Sequence, residues 1–139
     1  MNTTTRTSAG LGALALLAAL GAAPASASDA PTANVATLMT RALPDLPGKE
    51  VVMLTVEYLP GGASRPHRHD AHVFVYVLEG QVEMQVAGQP ATTLGPGGVF
   101  YEGPGDVHQT SRNASSTQSA KFLVVVLKDK DRALTRPAP

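Results

Sequence analysis

All four histidines of this 139-residue chain fall in two places: His67, His69 and His72 lie together, and His108 stands alone further along. His67 and His69 are separated by one residue. On a strand, side chains two apart point to the same face, so the two imidazoles project together from backbone positions about 6–7 Å apart. Two rings so placed can share a metal ion, and a third ligand has to come from a neighbouring strand. His108 opens a segment suited to supply it. Neutral imidazole is the commonest protein ligand of transition metals, and three nitrogens leave positions open for water or substrate. The same His-x-His pair beside Arg68 and Asp70 also reads as a solvated loop tip with no metal, the arginine and aspartate pairing with each other or with solvent.

The chain has no cysteine, so thiolate ligands are excluded and any site is built from nitrogen and oxygen donors. Such a set accepts one divalent Fe, Mn, Ni, Cu or Zn ion. Glu102, six residues before His108 at the end of an apolar run, is the candidate catalytic carboxylate. It reads as a fourth ligand, as a general base, or as a solvated rim residue. Tyr76 and Tyr101 read as core aromatics. Gly61-Gly62 and Gly95 to Gly98 are not phosphate loops, because no helix follows them. No serine sits in a nucleophile-elbow context.

The elements that must position these residues are strands. Val51 to Leu59 is apolar and β-branched and closes at Pro60-Gly61-Gly62. His72 to Leu78 is a second apolar run, closed by Glu79-Gly80. Gln81 to Ala87 alternates strictly, with Val82, Met84 and Val86 on one face, the period-two pattern of a strand wet on one side. Short segments follow at 91–94, 99–102 and 107–110, separated by Gly/Pro turns. Asn113 to Ser119 is a polar turn. Lys121 to Lys128 is a last strand, expected to be fully buried. This punctuation, with no long helical period, predicts an all-β sandwich or barrel.

Residues 1–27 read as a signal peptide. Arg6 precedes an unbroken apolar run from Leu11 to Ala23, and Ala25-Ser26-Ala27 supplies the small residues of a cleavage site. The run is shorter than the roughly 20 residues a membrane span needs. The expected location is therefore periplasmic or secreted, with no membrane contact after cleavage. Residues 28–49 read as an N-terminal arm, in which Val35 to Leu43 forms a helical turn or a short edge strand. The barrel domain is 50–128, and 129–139 is a flexible tail. The formal net charge is +0 and no basic face is visible, which argues against nucleic acid as a partner.

Two stretches carry a family resemblance. Gly61, then His67-Arg68-His69, a hydrophobic strand and Glu79-Gly80 resembles the first cupin motif. Gly97, then Gly103-Pro104-Gly105-Asp106-Val107-His108 and Asn113, is similar to the second. The resemblance covers Glu50 to Lys128 and implies a single-domain cupin-type jelly-roll β-barrel with His67, His69 and His108 as metal ligands. It also implies a glutamate at the position held here by Val73, which cannot ligate. His72 is one residue away. On a regular strand it points to the opposite face, and only a bulge would turn it towards the ion as a further ligand.

The resemblance implies a metal-dependent enzyme acting on a small molecule, with dioxygenation, isomerisation and decarboxylation among the reaction classes. The alternative is a non-catalytic module whose barrel mouth holds a small ligand. A homodimer formed through sheet edges is expected.

Overall fold

A computed structural model describes residues 33–139. The signal peptide expected at 1–27, and the start of the arm, lie outside the described residues.

The chain folds as eleven strands in two antiparallel sheets, with no helix among the described residues: β1 (Ala33–Ala42), β2 (Lys49–Tyr58), β3 (Ala63–Ser64), β4 (His67–Arg68), β5 (Ala71–Glu79), β6 (Val82–Val86), β7 (Thr92–Leu94), β8 (Val99–Glu102), β9 (Val107–Asn113), β10 (Ala120–Asp129) and β11 (Arg136–Pro137). One sheet has the order β1-β2-β10-β5-β8. The other runs β11-β4-β9-β6-β7, with β3 also paired to β9. This is an all-β architecture of the kind the Gly/Pro punctuation predicts, and the jelly-roll arrangement that the resemblance implies.

The core lies between the sheets and is built by alternation. Val52, Leu54 and Tyr58 face inward from β2, Val73, Val75 and Val77 from β5, and Phe122, Val124 and Val126 from β10. Burying each such side chain contributes about 1.5–3 kcal/mol. β10 alternates between buried and half-buried positions rather than being buried throughout, because its outward face has no covering layer.

Three expectations need correction. Val35 to Leu43 forms no helical turn: Val35 to Ala42 lies in an edge strand, β1, which is longer than expected at ten residues and is hydrogen-bonded along β2 with a register shift between Thr37 and Met39. The residues after Asp129 do not fray. Buried Lys128 donates from Nζ to the carbonyl oxygens of Asp129, Lys130 and Arg132 and pairs with Glu50, which turns the chain back so that β11 pairs with β4. Tyr76 and Tyr101 are exposed rather than core, because the inward parity of β5 and β8 belongs to Val73, Val75, Phe100 and Glu102.

Gly80 closes the turn after β5 with a φ of 71°. A Cβ there would lie 2.5 Å from the Ser119 carbonyl oxygen, so the turn requires glycine on both counts.

Candidate metal centre

Two strands of one sheet assemble the histidine cluster. β4 carries His67 and leads into His69, and β9 carries His108. His67 and His108 are direct cross-strand partners, a pairing that places Cβ atoms about 4.5–5.5 Å apart. The His67 ring lies 5.0 Å from the His69 ring, edge-on, and 5.0 Å from the His108 ring. Each of the three offers one nitrogen within 4.8 Å of the others, a spacing that can hold a metal ion.

The hydrogen bonds select which nitrogen faces the centre. His67 Nδ1 is 2.8 Å from the Arg65 carbonyl, His69 Nδ1 is 2.6 Å from the Leu134 carbonyl, and His108 Nδ1 is 2.9 Å from Glu102 Oε1. Each Nδ1–H donates to its oxygen, which fixes one tautomer and leaves every Nε2 with a free lone pair, the arrangement found around metal-bound histidines. His108 Nε2 is buried without a hydrogen-bond partner. An orphaned buried acceptor is costly, and an ion at the centre satisfies it. The donor set therefore fits a divalent transition metal. Burial, with the neighbouring imidazoles adding to it, pulls His67 below the ordinary histidine pKa, which keeps the ring neutral and able to ligate.

The second-motif loop braces the cluster. Gly105 N–H donates to the His69 carbonyl, and Asp106 Oδ2 accepts from Gly103 N–H. Phe100 stacks on the His108 ring with centroids 5.7 Å apart.

His72 does not join the cluster. β5 runs without a bulge past it, pairing Leu127 with His72 and Val126 with Val73, so His72 stays on the outer face. There its Nδ1 lies 2.8 Å from the Tyr101 hydroxyl. Glu102 is not a solvated rim residue, because its parity on β8 is inward and it is 1% exposed. Asp70 does not pair with Arg68. Asp70 pairs with Arg136 at 2.6 Å and lies 4.0 Å from Arg132.

The cluster sits in a cavity of about 320 Å³ whose walls are mainly aliphatic and aromatic, including Leu54, Val56, Val75, Phe122 and Val124. A second polar group lines the same cavity and was not anticipated. The Tyr58 hydroxyl lies 2.6 Å from Ser64 Oγ and 2.7 Å from Ser111 Oγ. Burial raises the Tyr58 pKa, so the phenol stays protonated. Three hydroxyl protons serve two hydrogen bonds, leaving one donor for a guest. Tyr58 was findable from its parity with Leu54 and Val56. Ser111 was not, because a register shift in the β6–β9 pairing beside His108 breaks the alternation. Leu134 carries no sequence signal at all.

The Cupin domain family matches residues 54–126. Among solved structures, the chain is similar to the DMSP lyase DddQ from Ruegeria pomeroyi (24% identity, TM-score 0.57, covering 63% of this chain and 43% of that one). It is also similar to the polyketide cyclase RemF from Streptomyces resistomycificus (25%, 0.59, 78% and 72%). A third is a cupin 2 conserved barrel domain protein from Rhodopseudomonas palustris (22%, 0.60, 81% and 72%). The chain thus spans less than half the length of the lyase. No curated protein matches it.

Proposed function

The chain belongs to the cupin domain family, and on that premise we propose that it is a metal-dependent enzyme acting on a small, largely apolar molecule with an oxygen-bearing head group. The observation that carries this reading is the set of three imidazoles, each held at Nδ1 and bare at Nε2, beside an aliphatic cavity. His67, His69 and His108 would hold one divalent ion. When bound, it supplies Lewis acidity that polarises the head-group oxygen. The apolar walls take up the body of the molecule and exclude water. The spare hydroxyl proton of the Tyr58–Ser64–Ser111 group donates to a second oxygen. That a lyase and a cyclase share the fold supports turnover over simple binding.

We propose further that the protein is exported, on the strength of the leader-like residues 1–27, and that it forms a homodimer. β8 is the last strand of its sheet, and its outward Val99 and Tyr101 join exposed Phe74 and Tyr76 of β5 in one apolar face. A second copy covers both the face and the open strand edge.

The test is elemental analysis of the purified protein and of His67→Ala and His108→Ala, then turnover assays of the metal-loaded protein on phenol, diketone and sugar-acid panels. Metal in the parent, lost in both variants, with turnover of phenols or diketones ahead of sugar acids, is the expected result. Metal-loaded protein that binds such molecules and never converts them sinks the enzyme reading. Parent protein that takes up no metal sinks the site.

A further inference from the structure

The outer face of β4 collects positive charge that the fold leaves unbalanced. On this two-residue strand His67 lines the cavity, so Arg68, one residue on, takes the opposite face. Arg68 is half-buried, and its Nε is buried with no hydrogen-bond partner. None of the ion pairs among the described residues includes it. Its cross-strand partner on β11 is a second arginine, Arg136. Like charges directly opposite on a sheet are destabilising, and a buried donor left without an acceptor is costly.

One carboxylate serves this group. Asp70 lies 2.6 Å from Arg136 and 4.0 Å from Arg132. The acids of the adjoining segments are engaged elsewhere: Asp129 pairs with Lys49, and Asp106 accepts from Gly103 N–H. Lys130 and Asp131, in the turn before Arg132, offset each other in charge. Three arginines against Asp70 leave an excess of two positive charges.

We propose that Arg68, Arg132 and Arg136 form an anion site on the outer face of β4 and β11. It takes a phosphate group free in solution, as inorganic phosphate or a small phosphate monoester. The phosphate supplies the acceptor that Arg68 Nε lacks and relieves the repulsion across the Arg68–Arg136 rung. Near neutral pH such a group carries about −1.5 to −2 charges, which matches the excess. The planar fork of arginine gives paired N–H bonds to phosphate oxygens. Leu134 lies between Arg132 and Arg136, and its carbonyl accepts from His69 Nδ1–H at 2.6 Å. An anion that gathers both arginines onto Arg68 therefore holds that carbonyl against the ring.

The test uses the full chain stripped of metal and desalted, so its outcome is separate from that of the metal reading. Inorganic phosphate is titrated by calorimetry at constant ionic strength against chloride, and backbone exchange of residues 132–138 is followed by mass spectrometry. The expected result is one phosphate per chain with a Kd of about 1 mM or tighter. Arg68→Gln and Arg132→Gln each weaken it by at least about tenfold, through loss of a charged donor fork. Lys121→Gln, at the far end of β10, removes the same charge and stays within about twofold of the parent. At ten times Kd, exchange in the tail slows by at least about fivefold. Heats no different from those of chloride, or equal affinities in the parent and Arg68→Gln, overturn the site. Phosphate bound without slowing of the tail overturns its hold on the Leu134 carbonyl. Should Arg68→Gln fail to fold by circular dichroism, Arg132→Gln, whose side chain is 60% exposed, decides.

Discussion

His69 Nδ1 and the carbonyl oxygen of Leu134, 65 residues apart in sequence, are joined by a hydrogen bond of 2.6 Å. The C-terminal segment that leads into β11 therefore braces the candidate metal centre. Its route is fixed at both ends: Lys128 gathers the carbonyls of the turn, and Arg136 pairs with Asp70 beside the first motif. Removing the oxygen that orients a ligating imidazole typically costs 10- to 100-fold in metal affinity. Deleting residues 133–139 is expected to lower Zn²⁺ affinity by that factor in calorimetry while the far-ultraviolet circular dichroism of the barrel persists. Equal affinities in the full and shortened chains would refute the role given to the tail.

Gly80 carries a fold prediction. A side chain at its φ of 71° is strained by about 1–2 kcal/mol, and its Cβ would meet the Ser119 carbonyl at 2.5 Å. That oxygen is backbone, and its neighbour Ala120 is fully buried, so relief requires moving β10. Gly80→Ala is expected to lower the thermal midpoint by at least 5–10 °C, taking about 4–8 °C per kcal/mol for a domain of this size. A shift under 2 °C in a calorimetric scan would contradict it.

What could be read from the sequence follows one rule: period two is legible wherever a strand runs regularly. Val82 and Met84 face the core as their alternation implies, and the outward placement of His72 follows from the parity of Val73, Val75 and Val77. Parity alone does not say which face of a four-residue strand is inward. Val99 to Glu102 reads as an apolar run ending in a charge, and only its pairing with β5 puts Glu102 inside. Alternation also fails at irregularities. From His108, a period-two reading selects Thr110 and Arg112. The register shift beside His108 selects Ser111 and Asn113 instead, and with Ser111 the hydroxyl group of the cavity goes unseen. The path of the tail is illegible for another reason: a charged, proline-ended segment reads as frayed, and its return to β4 depends on a buried lysine whose burial requires the completed barrel.

The outer face of β5 and β8 predicts association. Val99 is 68% exposed on the last strand of its sheet, and a lysine there opposes edge-to-edge pairing. The parent is expected to sediment as a dimer at micromolar concentration, and Val99→Lys as a monomer with unchanged metal content. A monomeric parent at tens of micromolar would refute the assignment of that face.

His67 predicts a pH dependence of the metal-free protein. Its pKa in the folded state lies below the ordinary value because burial disfavours the charged ring and the neighbouring imidazoles add repulsion. The unfolded chain therefore binds more protons than the folded one between the two values. By linkage, the contribution is fully present above the unfolded pKa of about 6.5 and is lost as pH falls from there towards the folded value, at no more than about 1.4 kcal/mol per pH unit. Metal affinity moves the same way, since protons compete with the ion for Nε2. In urea titrations with a chelator present, the parent is expected to lose stability between pH 7 and pH 5 more steeply than His67→Gln, whose amide does not titrate. Parallel pH profiles for the two proteins would show that His67 is not held neutral by its burial.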